Sequence, residues 1–266
     1  MLSPRPVSFL SDYGLDDDFV GVCHGVIAGI SPESRVIDVT HGIPRHDVRT
    51  GALLLRRALP YLPAGVHLAV IDPNVGTERR AVAVRTAEED RLLVGPDNGL
   101  LSLAAQRFGG IVEAVDVSRS IHRLEPVSAT FHGRDLFAPV AAALAAGAPL
   151  EEAGDPIDAD EIQPLHMPLA EVDESGLTVH AIAFDRFGNV TLDVEHEELT
   201  FAGLRLGHAV GVNARRAVYA VTFADVPEGD LLLYQDAYRT LSLAVNRGSA
   251  QELLGLSLDD AVRINP

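Results

Sequence analysis

Between residues 7 and 146, short runs of consecutive apolar residues alternate with segments in which apolar residues recur at helical spacing. Short apolar runs predict strands at residues 7–12, 36–40, 67–72, 81–84, 91–94 and 112–115. Helical spacing predicts helices at residues 17–30, 47–58, 99–108 and 135–146, with Asp16 or Asp17 as the N-cap of the first. Strands that alternate with helices indicate an α/β layered domain with a largely parallel sheet, which we assign to residues 1–165.

The pattern changes between Ala148 and Ala170, where Pro, Asp and Glu are frequent and periodicity is absent. This composition is typical of an interdomain linker. Beyond it, short apolar runs predict strands at residues 177–184, 189–194, 208–212, 217–223, 231–235 and 261–265. The stretch from Asn213 to Arg216 is predicted to be a hairpin turn. Short strands without intervening helices indicate a small β-barrel domain, which we assign to residues 171–266.

Composition narrows the function classes. The 266 residues carry a net charge of −17 and contain no Lys, which argues against nucleic acid as a partner because that affinity comes largely from cationic side chains on phosphates. Cys23 is the single cysteine, so an intrachain disulfide is impossible. No apolar run is long enough to span a bilayer, and no apolar leader precedes the first strand. We therefore expect a cytoplasmic protein without membrane contact.

Polar turns follow two of the predicted strands and form a candidate site. Asp12 ends the first strand, and Asp72 ends the strand at 67–72. The turn after Asp72 contains Pro and Gly, so it can bring Arg79 back toward Asp72. A third polar turn runs from His132 to Asp135. Ligands of open α/β sheets bind beyond the carboxyl ends of the strands, which makes these turns a site hypothesis.

The residue types leave several interpretations open. Asp12 can accept hydrogen bonds from two vicinal hydroxyls at once, or it can bond turn amides. Asp72, Arg79 and His132 can be a catalytic set, or a buried ion pair with a nearby capping His. A divalent ion held by Asp12, Asp72, His132 and Asp135 is a third interpretation, although no His-x-x-x-His or Cys-x-x-Cys spacing supports it. Asp135 is explained more simply as an N-cap or a neighbour of Arg134.

Other polar residues have simpler interpretations. Asn98 lies in a Pro-Asp-Asn-Gly stretch that is typical of a turn. Five histidines have no partner that can be identified from the sequence, and we expect structural roles for them: His24, His41, His46, His67 and His122.

Five motifs in chain order carry a resemblance to a known family. They are Phe9-Leu-Ser-Asp12-Tyr-Gly14, Asp72-Pro-Asn-Val-Gly-Thr-Glu-Arg79-Arg80, Pro96-Asp-Asn98-Gly-Leu-Leu101, Thr130-Phe-His132-Gly-Arg-Asp135 and Asp185-Arg-Phe-Gly-Asn189-Val. Together they resemble the S-adenosyl-L-methionine hydroxide adenosyltransferase family, the adenosine-forming hydrolases related to the fluorinase and chlorinase. The resemblance implies an α/β domain followed by a β-barrel domain. It also implies a homotrimer with active sites between subunits, S-adenosyl-L-methionine as substrate, and no cofactor.

The resemblance assigns a catalytic set of Asp72, Arg79 and His132. The sulfonium leaving group departs as a neutral thioether, so the reaction needs only a good nucleophile at the 5′-carbon. A cationic Arg can stabilise hydroxide character, while His and Asp orient the water and take its proton. We therefore expect the chemistry to be metal-independent.

The resemblance also assigns substrate contacts. Asp12 matches the residue that binds the ribose hydroxyls, and Asp17 matches a partner of the substrate ammonium, although three acids before a helix are also typical of a cap. In the barrel, Asn189 matches the residue that contacts the adenine edge, and Asp185 one near the ribose and base. Three further matches are a stacking residue and two that offer backbone contacts to methionine: Phe223, Ala237 and Tyr238.

The sequence thus predicts a hydrolase that converts S-adenosyl-L-methionine and water into adenosine and L-methionine. Two alternatives remain, a halogenase and a non-catalytic sensor of adenosyl ligands. The halogenase is disfavoured because the chain has no inserted loop between Arg80 and Asn98, and because Asp72 and His132-Gly133 replace the halide-binding Tyr and Ser. The retained catalytic set argues against a sensor.

Overall fold

The computed structural model describes residues 4–173, 175–195 and 203–266. The chain forms two compact units, of which the first ends at Leu165 and the second begins at His166. The first unit is a layered α/β structure and the second is a β-barrel, which confirms the predicted fold class. In the described part of the chain, no helix combines the length and the apolar character that crossing a membrane requires.

The first unit contains seven strands and four α-helices in its described part. The strands are β1 (Val7–Ser11), β2 (Val36–Thr40), β3 (Val66–Val70), β4 (Ala81–Thr86), β5 (Leu92–Pro96), β6 (Ile111–Asp116) and β7 (Asp155–Ile157). The helices are α1 (Phe19–Ile30), α2 (Val48–Ala58), α3 (Ser102–Arg107) and α4 (Ala138–Ala145). A π-helical turn, Gly133–Phe137, leads directly into α4.

The sheet of the first unit has the strand order β2-β1-β3-β5-β4-β6-β7. The pairs β1–β2, β1–β3 and β3–β5 are parallel, and the pairs β4–β5, β4–β6 and β6–β7 are antiparallel. Residues 87–91 between β4 and β5 are too few for a crossover, so this pair forms a hairpin. The parallel half places the carboxyl ends of β1, β3 and β5 at one edge of the sheet.

Helices cover both faces of this sheet. Alternate residues of β1 and β3, such as Phe9 and Leu68, join one core with Cys23 and Ile27 of α1 and much of α4. On the other face α2 packs against α3, and a Cβ on Gly51 would lie 2.1 Å from Cδ1 of Ile71. The strands β1 and β3 are therefore buried along their whole length.

Two details of the first unit differ from the sequence-based expectations. Helix α1 begins at Phe19 with Asp18 as its N-cap residue and without a side-chain cap bond, so the assignment of Asp16 or Asp17 as cap was wrong. The stretch predicted as a linker contains β7, which pairs with β6. This strand is only three residues long and contains Pro156, so its pattern gave no periodic signal.

The second unit contains eight strands and one α-helix in its described part. They are β8 (Glu171–Asp173), β9 (Gly176–Phe184), β10 (Val190–Glu195), β11 (Ala209–Val212), β12 (Arg215–Tyr219), β13 (Leu231–Gln235), β14 (Thr240–Val245), α5 (Ala250–Leu254) and β15 (Ala261–Asn265). Their order is β10-β14-β13-β12-β11-β15-β9-β8, and pairing of β10 with β9 closes a ring of seven strands. Strand β8 lies beside β9 outside the ring.

The barrel follows from alternating patterns and tight turns. Leu241, Leu243 and Val245 of β14 join the barrel core. This strand was not predicted from the sequence because a short apolar run rich in Leu and Ala fits a helix as well as a strand. The predicted hairpin is present between β11 and β12, where Val212 pairs with Arg215 and Asn213 has a φ of 51°. Strand β12 ends at Tyr219, earlier than predicted.

Candidate active site

The turn after β3 folds Arg79 back onto Asp72. Nε of Arg79 donates hydrogen bonds to both carboxylate oxygens of Asp72, at 2.9 and 3.1 Å, and Nη2 contacts Oδ2 as well. The two side chains are only 8% and 7% exposed. The turn itself is held by a hydrogen bond from the backbone N of Val75 to the carbonyl of Asp72. The predicted return of Arg79 to Asp72 is therefore present.

Gly76 fits this turn against the segment that leads to His132. Its φ is 79°, and a Cβ at this position would lie 2.5 Å from the carbonyl oxygen of Ala129. Any side chain would therefore be strained in its backbone and would also push Ala129 away. A glycine here allows the 72–80 turn to reach the neighbourhood of His132.

His132 completes the set through the same guanidinium. Nη2 of Arg79 lies 2.9 Å from Nδ1 of His132. A guanidinium can only donate, so Nδ1 must be the acceptor and the ring proton must be on Nε2. Burial and the charge of Arg79 lower the pKa of His132 below its ordinary value. His132 is therefore a neutral imidazole near neutral pH, with an Nε2–H that can donate.

The segment that carries His132 is anchored by a second carboxylate. Asp135 is buried in the π-helical turn and accepts hydrogen bonds from the backbone N of Ser128 at 2.8 Å and from Nε of Arg134 at 2.5 Å. Hydrogen bonding by Arg134 is the main cause that holds the pKa of Asp135 below its usual range. Asp135 is thus a neighbour of Arg134, as predicted, and it lies within the turn instead of at an N-cap.

These contacts leave little support for a divalent ion among Asp12, Asp72, His132 and Asp135. Asp72 is occupied by Arg79, and Asp135 is occupied by Arg134 and Ser128. Among the described residues, no three of these four side chains bring ligand atoms within 4.8 Å of one another.

Asp12 lies at the same sheet edge as Asp72. Strands β1 and β3 are adjacent and parallel, with Ser11 opposite Val70, so the residues that follow both strands leave the sheet together. Oδ2 of Asp12 accepts a hydrogen bond of 2.8 Å from the backbone N of His46, whose φ is 67°. His46 therefore orients the Asp12 carboxylate through its backbone.

Tyr13 lies in the candidate site but was not among the residues predicted from the sequence. Its ring packs against Phe19 and Phe131, with centroid distances of 5.8 Å to each. Burial raises the pKa of Tyr13 well above its ordinary value, and the nearby Cys23, Asp12 and Asp72 raise it further. The phenol therefore stays protonated among the site carboxylates. Its position directly after Asp12 was the one signal in the sequence.

The remaining assigned residue of the first unit, Asp17, is exposed just before α1. Asn98 has the turn role that the sequence indicated: its Nδ2 donates to the carbonyl of Ile71 at 2.9 Å, and its Oδ1 accepts from the backbone N of Leu100 at 3.2 Å. A cleft of about 410 Å³ is lined by Arg79 and Asn98, among other residues.

In the second unit, Asp185 and Asn189 form one hydrogen-bonded turn between β9 and β10. Oδ1 of Asp185 accepts from the backbone N of Phe187 at 2.8 Å and of Asn189 at 3.0 Å. Oδ2 accepts from Nδ2 of Asn189 at 2.8 Å. This last bond fixes the orientation of the Asn189 amide, because the nitrogen must face Asp185.

The other assigned barrel residues are exposed. The ring of Phe223 is 42% exposed and lies 5.2 Å from that of Tyr234. Ala237 and Tyr238 lie in the turn between β13 and β14, where the backbone N of Tyr238 donates to Oδ1 of Asp236 at 2.8 Å. An exposed aromatic ring is suited to ligand contact.

The chain is similar to known proteins along nearly its whole length. Residues 7–154 match the SAM hydroxide adenosyltransferase N-terminal domain, and residues 179–263 match the corresponding C-terminal domain. The chain is 48% identical to an (R)-S-adenosyl-L-methionine hydrolase of Salinispora tropica over 264 residues, which cover 99% of both chains. It is 31% identical to a fluorinase of Actinopolyspora mzabensis over 98% of its own length and 97% of that protein.

A solved structure shows the same fold. The crystal structure of an uncharacterized conserved protein from Thermotoga maritima superposes with a TM-score of 0.91 and 34% identity, covering 98% of this chain and 100% of that one. With both family domains matched, in order and over most of the length, the chain belongs to the S-adenosyl-L-methionine hydroxide adenosyltransferase family.

Proposed function

We propose that this protein is an enzyme that cleaves S-adenosyl-L-methionine with water at the 5′-carbon and releases adenosine and L-methionine. The observation that carries the proposal is the buried guanidinium of Arg79, which contacts both Asp72 and His132. Family membership and full-length relatives named as (R)-S-adenosyl-L-methionine hydrolases support it. In the reaction the 5′-carbon–sulfur bond breaks with both electrons going to sulfur, and a water oxygen bonds to the carbon.

The geometry supports distinct roles for the three catalytic residues. Arg79 supplies a fixed positive charge that stabilises hydroxide character in the attacking water. His132 is neutral and its Nδ1 is occupied by Arg79, so its Nε2–H orients the water as a donor. Asp72 then accepts the water proton, because a carboxylate has lone pairs beyond those that Arg79 uses. The hypothesis from the sequence was that His132 and Asp72 together orient the water and take its proton. We now assign the removal of the proton to Asp72 alone.

We also propose the substrate contacts that the family resemblance implies. Asp12 binds the ribose hydroxyls, and Asp17 binds the ammonium of the methionine part. The barrel supplies contacts to adenine and to methionine through five residues: Asp185, Asn189, Phe223, Ala237 and Tyr238. The homotrimer with sites between subunits, the cytoplasmic location, and the absence of a cofactor, of a catalytic metal and of nucleic acid as a partner remain predictions.

The reaction is tested by product analysis in ¹⁸O-water. Each sulfonium epimer of S-adenosyl-L-methionine is incubated separately with the enzyme, because the relatives are named for the (R) form. We expect adenosine that carries the label on its 5′-oxygen, together with L-methionine, from the (R) epimer. Unlabelled adenosine would exclude direct attack by water, and binding without turnover of either epimer would favour the sensor.

The same incubation with excess fluoride or chloride separates the hydrolase from a halogenase. The carboxylate of Asp72 repels a nearby anion, so we expect no 5′-halogenated adenosine. A halogenated product at moderate halide concentration would support the halogenase instead. The fluorinase of Actinopolyspora mzabensis is also less similar to this chain than the Salinispora tropica hydrolase is, at 31% against 48% identity.

A further inference from the structure

Three side chains of the first unit converge at the edge strand β2. His24 comes from α1, Asp38 from β2, and His41 follows directly after β2. Nε2 of His24 lies 2.8 Å from Oδ1 of Asp38, and Nε2 of His41 lies 3.0 Å from the same oxygen. Among the described residues, they are the one set of three His, Cys, Asp or Glu side chains whose ligand atoms all lie within 4.8 Å of one another.

His41 is held with one nitrogen directed at this group. The side chain is 2% exposed, and its Nδ1 is hydrogen-bonded to Oγ of Ser11 at 2.7 Å. Its Nε2 has no hydrogen-bond partner with proper geometry in the described part of the chain, although it is buried. Its nearest polar neighbour, Oδ1 of Asp38 at 3.0 Å, is poorly aligned for a hydrogen bond, so the nitrogen gains little from this contact and is available to an ion.

The aromatic surroundings keep both imidazoles in place. The ring of Phe9 lies 4.7 Å from that of His41 in an edge-on arrangement and 6.1 Å from that of His24. This apolar contact and the bond from Ser11 restrict rotation of the His41 ring. Histidine ligands of metal ions are held in this way, with one nitrogen on the ion and the other fixed by a hydrogen bond.

We propose that His24, Asp38 and His41 form a binding site for a divalent transition-metal ion, with Zn²⁺ as the best match. The donors are two imidazole nitrogens and one carboxylate oxygen, a set that suits zinc and disfavours Mg²⁺ and Ca²⁺, which prefer oxygen ligands alone. Three protein ligands leave one tetrahedral position for water. None of the three residues belongs to the proposed catalytic set, so the ion has a structural role.

The ion would hold a segment that reaches Asp12. The carbonyl of His41 accepts a hydrogen bond of 2.8 Å from the backbone N of Gly14, and Ser11, which fixes the His41 ring, directly precedes Asp12. The backbone of His46 bonds the Asp12 carboxylate from the other end of the same segment. A metal at His41 therefore clamps the 41–46 segment that positions Asp12.

Binding is tested on the full chain after exhaustive dialysis against a chelator. Isothermal titration calorimetry with ZnCl₂ is expected to show one ion bound per chain, and thermal denaturation is expected to show a higher melting temperature when ZnCl₂ is present. Neither effect is expected with MgCl₂ or CaCl₂. His24→Gln and Asp38→Asn are each expected to weaken Zn²⁺ binding more than about 100-fold, because even outer-shell partners are typically worth 10–100-fold. Circular dichroism verifies that both variants fold.

A matched control is available in the second unit. His180 and Asp193 form a similar pair, with Nδ1 and Oδ2 2.7 Å apart, but without a third ligand within the described residues. His180→Gln and Asp193→Asn are expected to bind Zn²⁺ as the wild type does. The proposal is overturned if the wild type binds no stoichiometric Zn²⁺, if both site variants keep wild-type affinity, or if the control pair loses as much. Because the readout is metal binding, it does not depend on the proposed hydrolase activity.

Discussion

The phenolic oxygen of Tyr13 lies 2.0 Å from the position that a Cβ on Gly133 would occupy. The turn after β1 and the π-helical turn before α4 can therefore meet only because residue 133 has no side chain. Gly133 follows His132 directly, and Tyr13 follows Asp12. One close contact thus sets the distance between the proposed ribose-binding carboxylate and the proposed catalytic imidazole.

We expect Gly133→Ala to lower both stability and turnover. The added methyl group would overlap the Tyr13 hydroxyl and ring, and overpacking of this kind typically costs about 1–3 kcal/mol. Displacement of Tyr13 or of His132 should reduce kcat as well. Urea denaturation and steady-state assays measure the two effects.

Gly25→Ala is the matched control for this glycine. Gly25 lies within α1, and a Cβ there would meet no atom within 4 Å. An alanine in a helix interior is expected to stabilise the protein by roughly 0.5–1 kcal/mol without changing kcat. Equal behaviour of the two variants would show that the Tyr13–Gly133 contact has no special role.

Removal of Arg79 should affect the rate far more than binding. If its charge stabilises hydroxide, Arg79→Ala is expected to lower kcat by roughly 10²–10³, the usual cost of removing one preorganised electrostatic donor. Arg85→Ala serves as control, because Arg85 also pairs with a carboxylate, Glu113, at 2.8 Å on the same sheet. Near wild-type turnover in Arg79→Ala would contradict the assignment.

The pKa of His132 provides an independent test of the contact between this imidazole and Arg79. The charge of Arg79 is, after burial, the second cause that lowers the pKa of His132. The pKa of His132, followed by NMR, should therefore rise in Arg79→Ala relative to wild type. An unchanged pKa would mean that the guanidinium does not contact this ring in solution.

The loss of affinity caused by Asp12→Ala should depend on whether the nucleoside has a 2′-hydroxyl. Hydrogen bonds to a charged group are typically worth about 1.5–3 kcal/mol, so loss of the carboxylate is expected to weaken adenosine binding tenfold or more. The binding of 2′-deoxyadenosine, which cannot offer both hydroxyls, should change much less. Calorimetry with both ligands tests this, and equal losses would indicate a structural role through the bond from His46.

His67 should make the protein less stable in mild acid. Burial, together with the charge of Arg91, lowers the pKa of His67 from 6.5 to about 3. Between these two values the unfolded chain takes up a proton that the folded chain does not. Stability is therefore lost as pH falls below 6.5, by about 1.4 kcal/mol per pH unit from this group.

The variant His67→Gln removes this titration. Its free energy of unfolding should decline less steeply than that of the wild type between pH 7 and pH 5, as measured by urea denaturation. Exposed His208→Gln controls for the loss of a histidine elsewhere. Parallel slopes for His67→Gln and wild type would show that His67 is not buried in its neutral form.

Local features of the site could be predicted from the sequence, whereas long-range ones could not. Asp72 and Arg79 are seven residues apart across a turn with Pro and Gly, so their contact follows from turn chemistry. The bond from Arg79 to His132 spans 53 residues and was expected only because both lie in motifs of one family.

Contacts that depend on close packing had no signal in the sequence. Tyr13 meets Gly133, and Ser11 meets His41, through the register of β1 beside its neighbours. Spacing along the chain carries no information on such pairs. The same holds for His24 of α1, whose partner Asp38 lies on β2, 14 residues further along the chain.

The edge strands of the two sheets have a consequence for self-association. Pairing of β9 with β10 removes the open edges of the barrel ring, and the outer strand β8 is short and carries acidic residues. In the first unit, β7 contains Pro156, which has no N–H to donate, and β2 carries the exposed Asp38. Charges and prolines on edge strands suppress the joining of sheets between molecules. Strand pairing between copies of this chain, and aggregation by strand addition, are therefore disfavoured.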